Sequence, residues 1–338
     1  MMKAWEVRQF GIDDLVLSES EQPRPGPDEI LVRMYAASLN FRDVMVVSGT
    51  YNPQMKLPAV PFSDGAGEVV AVGPAVSKWR VGDRICSTVI AGWFDGGPTA
   101  EKSKTAIGAG AHAGVLREFA VFNEESVVRA PDHFSYAEAA TLPCAAVTAW
   151  HALVVSGGVK ADDTVLLLGT GGVSIFALQI AKHFGARTIV TSSSDEKLAR
   201  ARELGADETI NYRTRDDWDK AAVELTDGRG VDHVVEVGGA GTLARSVKAV
   251  RVGGHIALVG ALDTTGEFNP VPVFMKAIRM QGIFVGSRAM FEDLSAELGS
   301  AQMRPVIDRV FEFEQARSAL KYMQSGSHFG KIVVRIAG

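Results

Sequence analysis

Two rhythms of apolar and polar residues divide the chain. Around residues 162–212, short apolar runs alternate with segments that are apolar at helical spacing. Thr164-Val-Leu-Leu-Leu168 is a run of strand length. Gly169-Thr-Gly-Gly-Val-Ser174 follows, and then residues 175–185 recur at helical intervals. A buried strand, a glycine turn and a helix in that order form the first half of a βαβ unit. The second strand reads Arg187-Thr-Ile-Val-Thr191, with a helix start at Asp195. Further units follow: strands at Val231-Asp-His-Val-Val-Glu-Val237, Gly254-His-Ile-Ala-Leu-Val259 and Met280-Gln-Gly-Ile-Phe-Val-Gly286, with a helix over 242–250. This alternation predicts an α/β doubly wound parallel sheet.

The first 125 residues are strand-like and broken by Gly and Pro, an antiparallel, barrel-like pattern with few helices. Pro23-Arg-Pro-Gly-Pro27 is a turn and Glu29-Ile-Leu-Val-Arg-Met-Tyr35 a strand. Ser63-Asp-Gly-Ala-Gly-Glu-Val-Val-Ala-Val-Gly73 is a turn entering a strand, and Val81-Gly-Asp-Arg-Ile-Cys86 leads into the next. Residues 91–115 are Gly-rich and patternless, which fits a lid or pocket loop and equally a plain surface excursion. Helices are predicted over 136–140, 145–155, 291–299 and 314–324. The closing strand Gly330-Lys-Ile-Val-Val-Arg335 has the alternating character of the opening part and is expected to return to it.

Length allows two domains, each with its own core, in 338 residues. A formal net charge of -5 argues against a nucleic-acid partner, which would call for a basic face. The two cysteines, Cys86 and Cys144, do not make a disulfide scaffold. No apolar stretch approaches the roughly 18 residues of a membrane span. Met1-Met-Lys-Ala-Trp-Glu-Val7 reads as a strand without a signal-peptide core, so a cytoplasmic protein with no membrane partner is expected.

The glycine turn is the first candidate site. A dinucleotide pyrophosphate must lie against bare backbone at a helix N-terminus, where amides and dipole favour its charge. Gly169, Thr170, Gly171, Gly172 and Val173 are the candidate cradle, although Ile175 and Phe176 stand where G-x-G-x-x-G would place its third glycine. An ordinary strand-to-helix turn is the plainer reading, and the strand-helix units that follow favour the nucleotide. NAD binders place an acid about 20 residues further on. Here that place falls on Ser192 and Ser193, neutral residues that spare a 2′-phosphate repulsion, with Lys197 one helical turn beyond. NADPH is favoured over NADH, with Asp195 and Glu196 nearby as the opposing feature.

The chain resembles the medium-chain dehydrogenase/reductase superfamily, in its zinc-free, quinone-oxidoreductase-like branch. The matching residues are Pro25-Gly-Pro-Asp-Glu29, Ala36-Ala-Ser-Leu-Asn-Phe-Arg-Asp43 and Asp64-Gly-Ala-Gly-Glu-Val-Val-Ala-Val-Gly73 with Val81-Gly-Asp-Arg84. Ala139-Ala-Thr-Leu-Pro143 with Thr148-Ala-Trp150, Leu204-Gly-Ala-Asp207 and His328-Phe-Gly-Lys-Ile-Val-Val334 complete the set over nearly the whole chain. The resemblance implies a GroES-like, mostly-β catalytic domain over 1–125, completed by 290–338, and a Rossmann domain over 126–289. It implies homodimers or homotetramers, often joined through the last Rossmann strand near Gly282 and Val285.

It also implies site residues. A tyrosine, here Tyr212, and a C-terminal basic residue such as Lys331 accompany the lysine of the NADP pattern. Thr148, Gly238, Val259, Gly260, Phe284 and Val285 are placed about the nicotinamide, and all of them equally suit packing roles. Zinc members carry a Gly-His-Glu motif, a preceding cysteine and a structural cysteine cluster. Here the His-Glu positions hold Ser63 and Asp64, the cysteine position holds Asn40, and the cluster is missing. The seven histidines are scattered; Asp64 and His112 are the remaining candidate ligands, and the expectation is no metal.

Without zinc, the negative charge that develops on a carbonyl or enone oxygen needs donors or a cation in a dry site. Asn40 and Arg42 are the candidate catalytic donors, with Tyr51 as a candidate proton donor. Asn40 matches the family's active-site asparagine position. Plain roles remain open: a turn for Asn40, a surface pair of Arg42 with Asp43, packing for Tyr51. The expected activity is NADPH-dependent hydride transfer to a quinone, enone or other activated carbonyl or alkene, with a small molecule as substrate. Zinc-free alcohol or aldehyde oxidoreduction and non-catalytic NADPH binding are the rivals.

Overall fold

The structure is a computed structural model that describes residues 1–110, 112–260, 262–263 and 265–337. The chain divides into two compact units, Met1–Val147 with Val285–Gly338, and Thr148–Phe284. The C-terminal segment therefore returns to the opening part, and residues 126–147 lie with it rather than with the nucleotide half.

The first unit is built on a seven-stranded sheet. Its order is Ile307–Glu312, Lys331–Arg335, Glu29–Ser38, Asp64–Val72, Arg84–Ser87, Val127–Arg129, with Phe119–Asn123 also paired to Glu29–Ser38. Pairing is antiparallel throughout except between Ile307–Glu312 and Lys331–Arg335. Glu29–Ser38 is the central element, since three strands hydrogen-bond to it. Its Ile30, Val32 and Met34 are fully buried in a core shared with Leu39, Phe62, Ile85 and Ile332. Met2–Val7 and Leu15–Ser20 form a separate antiparallel pair.

The described residues of 91–115, patternless in sequence, are largely exposed or half-buried and anchored at a few buried points. Trp93 and Ile107 are buried, a short helix Ala100–Ser103 starts at the Thr99 cap, and Arg288 N–H donates to the Trp93 carbonyl at 2.9 Å. Several helices differ from expectation. Phe41–Val47, Trp218–Glu224 and Val271–Met275 are helical where no helix is predicted, and the helix predicted over 291–299 is longer, Arg288–Ala301, because the Ser287 hydroxyl caps it by accepting from Met290 N–H.

The second unit is a six-stranded parallel sheet in the order Glu208–Asn211, Arg187–Ser192, Thr164–Leu168, Val231–Glu236, Val250–Leu258, Arg279–Gly282. Numbered along the chain this is 3-2-1-4-5-6, the Rossmann order. Thr164–Leu168 is buried at every position, as a central strand covered on both faces must be. The helices Gly172–His183, Asp195–Glu203, Trp218–Glu224 and Ala240–Ala249 follow successive strands. The strand order reverses between Thr164–Leu168 and Val231–Glu236, where this class of sheet binds its ligand beyond the carboxyl ends of the strands. Among the described residues, no helix is long and apolar enough to cross a membrane.

Candidate active site

In the first unit the chemistry gathers where strand Glu29–Ser38 ends. The Ser38 hydroxyl and the Leu39 N–H both donate to the Ile332 carbonyl, at 2.9 and 3.0 Å, which bolts this end to the C-terminal strand. Asn40 is extended (φ -124°, ψ 157°) and caps the helix Phe41–Val47. The cap is made by Asp43, whose Oδ2 accepts the Asn40 N–H at 2.7 Å. The Asn40 side chain turns elsewhere: its Oδ1 accepts from Lys331 Nζ at 2.7 Å, and the same ammonium donates to Leu39 O at 2.6 Å.

Around this pair lie two buried carboxylates and a second cation. Asp64 Oδ1 accepts from the Ser63 hydroxyl at 2.7 Å and Oδ2 from the Cys144 N–H at 2.9 Å. Burial pushes the Asp64 pKa up against the pull of Lys331 and these donors. Burial likewise raises Asp43, to about 7, with Arg42 opposing it. Burial lowers the Lys331 pKa while Asp64 draws it back. The Arg42 guanidinium donates to Ile107 O at 2.9 Å and lies 5.0 Å from the centre of the half-buried Tyr51 ring. Burial works against its charge, but Asp43 and Tyr51 outweigh that and hold its pKa above the ordinary value. Two basic side chains thus face two buried carboxyl groups. Among the described residues, Asn40 Nδ2 and Arg42 Nη1 are buried donors without a hydrogen-bond partner. Nδ2 still lies near enough to Asp64 to favour its charged form. Spare donors in a desolvated place are what a developing oxyanion requires.

The Asn40, Arg42 and Tyr51 proposed from sequence are therefore brought together, and Arg42 is no surface residue. Lys331, expected beside the cofactor, lies in this unit beneath Asn40, with 2% of its surface exposed. His112 is exposed; its backbone bridges Ile107 and its carbonyl accepts the Gly108 N–H at 2.9 Å. The donor set does not suit zinc. It offers an amide, a hydroxyl, a carboxylate already holding two donors, and a Cys144 thiol that burial pushes up to about 12, with an ammonium in their midst.

In the second unit the glycine turn fits a pyrophosphate. Gly169 has φ 73°, and a Cβ added there would meet nothing within 4 Å, so the space beside the turn is open. Helix Gly172–His183 begins at Gly171 without any side-chain cap, leaving its first amides to a ligand. Thr170 is buried at the turn, and Val173 lies in the first helical turn. Ser192 closes its strand opposite Asn211; its hydroxyl accepts the Ser194 N–H at 3.3 Å, so it shapes the turn. Ser193 and Lys197 are half-buried beside it, and Tyr212, whose N–H donates to Ser192 O at 3.1 Å, is exposed.

Gly238, Val259 and Gly260 follow the carboxyl ends of the next two strands. A Cβ on Gly238 would stand 2.3 Å from Thr242 Oγ1, and one on Gly260 2.4 Å from Val237 O, so both places need glycine. Thr148 is buried in the helix Val147–Trp150. Phe284 is exposed and ends this unit; Val285, buried with φ 47°, opens the return to the first. Glu236 was not foreseen. Its buried carboxylate takes the N–H groups of Gly238 and Gly239 at 2.8 and 3.1 Å and the Thr242 hydroxyl at 2.6 Å, bracing the turn after its strand. An acid ending an apolar strand before two glycines was the readable signal.

Residues 26–132 match the alcohol dehydrogenase GroES-like domain family, and residues 172–300 match the zinc-binding dehydrogenase family. A zinc-type alcohol dehydrogenase-like protein of Schizosaccharomyces pombe is 42% identical over 334 residues, 96% of each chain. The 2-methylene-furan-3-one reductase of Solanum lycopersicum is 32% identical over 339 residues, 98% of this chain and 79% of its own. A crystal structure from Sinorhizobium meliloti 1021, provisionally named alcohol dehydrogenase, superposes with a TM-score of 0.94 at 42% identity, over 99% of this chain and 98% of that one.

Proposed function

The chain belongs to the medium-chain dehydrogenase/reductase superfamily, and on that premise we propose that this oxidoreductase is a zinc-independent, NADPH-dependent reductase of quinones, enones or similarly activated carbonyls and alkenes. A bound nicotinamide supplies or accepts the hydride; the protein's own groups meet the charge that hydride transfer leaves on the substrate oxygen. Asn40 Nδ2 and Arg42 Nη1 are the donors for that oxygen, and Tyr51, against Arg42, is the candidate source of the proton. The observation that carries this reading is the buried ammonium of Lys331 at the Asn40 amide, a fixed cation among residues poorly matched to zinc. The zinc-binding description attaches to the match over 172–300, which contains neither Asn40 nor Asp64.

The name of the tomato relative, a reductase of an enone, supports the substrate class. The neutral Ser192 and Ser193 with Lys197 support NADPH over NADH. The exposed Phe274, Met275 and Phe284 beside the edge strand Arg279–Gly282 support a homodimer or homotetramer joined there. The alcohol dehydrogenase names of the fission-yeast and Sinorhizobium proteins favour a second reading, reversible alcohol oxidation, which the same assay separates. NADPH oxidation is followed with 1,4-benzoquinone, an α,β-unsaturated ketone and a simple aldehyde, then with NADH and after chelator treatment. Quinone or enone turnover that prefers NADPH and ignores the chelator is expected. Chelator-sensitive turnover confined to the aldehyde would overturn the proposal.

A further inference from the structure

We propose that Lys331 is a positioning residue: its ammonium turns the Asn40 amide so that Nδ2 faces the substrate oxygen, and polarises that N–H for the charge arriving there. The inference rests on the reading of Asn40 as an oxyanion donor and deepens it.

An asparagine amide has two ends of nearly equal shape, one accepting and one donating. Shape alone does not choose between them. An ammonium has only donors, so Lys331 Nζ, 2.7 Å from Asn40, selects Oδ1 and leaves Nδ2 on the far side. At the helix start Asp43 Oδ2 takes the Asn40 N–H, which holds the Asn40 backbone beside the lysine. Asp64 borders the freed end, near enough for Nδ2 to favour its charged form, yet Nδ2 reaches no hydrogen-bond geometry with any described residue.

The lysine is itself held in place. Its N–H donates to Val306 O at 3.0 Å, and Gly330 before it adopts φ 76° at a spot where a Cβ would stand 2.5 Å from the same carbonyl. Nζ has a second anchor, Leu39 O at 2.6 Å, on the residue preceding Asn40. A cation fixed on the carbonyl end of an amide draws electron density from its nitrogen, and hydrogen bonds linked in this way strengthen one another. Orientation and polarisation therefore come from one contact, bringing together residues 291 positions apart in sequence.

The test is a double-mutant cycle of Lys331→Met and Asn40→Ala in the full chain, assayed for NADPH-dependent enone reduction, with NADPH affinity from nucleotide fluorescence. Each single variant is expected to lose about 10- to 100-fold in kcat, with NADPH affinity within about twofold of wild type. The double variant is expected to be no slower than Asn40→Ala alone, because Lys331 acts only through Asn40. Losses that multiply, or a Lys331→Met enzyme of undiminished kcat, would overturn the proposal while leaving Asn40 as a donor. Full activity of Asn40→Ala would overturn the oxyanion reading and this inference with it. Lys331→Gln, which keeps a donor without the charge, serves if Lys331→Met does not fold and is expected to fall between wild type and Asn40→Ala.

A second readout needs no turnover. The Asn40 side-chain amide resonances in a 15N-labelled sample, assigned by their loss in Asn40→Ala, are expected to shift in Lys331→Met or Lys331→Gln. Unchanged resonances would go against the contact having any electronic effect.

Discussion

Asp43 holds the Asn40 N–H at 2.7 Å through one carboxylate oxygen, while the other, Oδ1, is buried without a hydrogen-bond partner among the described residues. Half-satisfied in this way, the group resists ionisation: burial lifts its pKa to about 7 against the pull of Arg42. A folded-state pKa above the ordinary 3.8 means that folding favours the protonated form. Its stabilising contribution is complete below about pH 4, is lost as pH rises through about 7, and is flat beyond. Asp43→Asn removes this dependence. Urea denaturation from pH 4 to 7.5 should show the difference between variant and wild type moving in the variant's favour by at most roughly 4 kcal/mol. A difference that stays level over that range would count against a buried, reluctant carboxylate.

The second unit carries a titration of opposite sign. His255 Nδ1 lies 3.5 Å from His233 Nδ1, its Nε2 is 3.0 Å from the Ser156 hydroxyl, and His233 Nε2 is 3.1 Å from Asp163. Burial first, then His233 and Arg279, bring the His255 pKa down to about 4. Here the folded state favours the neutral ring, so the stability present above the ordinary 6.5 is lost as pH falls through about 4. His255→Gln should shift the acid-unfolding midpoint to lower pH relative to wild type at matched neutral-pH stability. Equal midpoints would place the acid sensitivity elsewhere.

Much of the second unit is legible in the sequence because a parallel strand covered on both faces reads as a nearly continuous apolar run, as Thr164–Leu168 does after its first residue. The edge strand is shorter than its pattern. Arg279–Gly282 stops where Ile283 N–H still donates to Leu258 O but Val285 swings to φ 47°, a turn that apolar residues do not advertise. Phe41–Val47 carries three valines in seven residues, a strand-like composition, and becomes helical on the strength of the Asp43 cap. Asn40 and Arg42 could be named from their chemistry and from the family. The contacts of Lys331 could not be read, because its partners Leu39 and Asn40, 292 and 291 residues away in sequence, meet it through the pairing of strand Lys331–Arg335 with strand Glu29–Ser38.

Two glycines separate packing from ligand binding. A Cβ at Gly73 would stand 2.0 Å from Gly26 O and 2.4 Å from Pro27 O, both backbone atoms that cannot swing aside. Gly73→Ala should therefore cost about 1–3 kcal/mol of stability, visible as a lowered melting temperature. At Gly169 the space is open and only φ 73° is at stake, so Gly169→Ala should cost about 1–2 kcal/mol and weaken NADPH binding as the turn relaxes. NADPH titration of both variants checks the contrast. Gly169→Ala binding NADPH as wild type does would remove the turn from the cofactor site.

Cofactor choice depends on the edge formed by Ser193, Lys197 and Tyr212. Ser192 is 4% exposed and its hydroxyl is engaged by Ser194 N–H, so Ser193 is the better-placed residue to meet a ribose substituent. Lys197 sits one turn into the helix that Ser194 caps, on the side of the chain where strand Arg187–Ser192 ends. A cation there attracts a 2′-phosphate and does little for a 2′-hydroxyl. Lys197→Ala should lower kcat/KM for NADPH by about tenfold and leave NADH within about twofold, a difference of one well-placed charge. Ser193→Asp adds repulsion of the phosphate and a hydrogen-bond acceptor for the hydroxyl, so it should move the preference toward NADH further than Lys197→Ala does. Steady-state kinetics with both nucleotides checks this. Equal losses with NADPH and NADH in Lys197→Ala would assign the lysine to helix stability and leave the cofactor preference to another edge of the sheet.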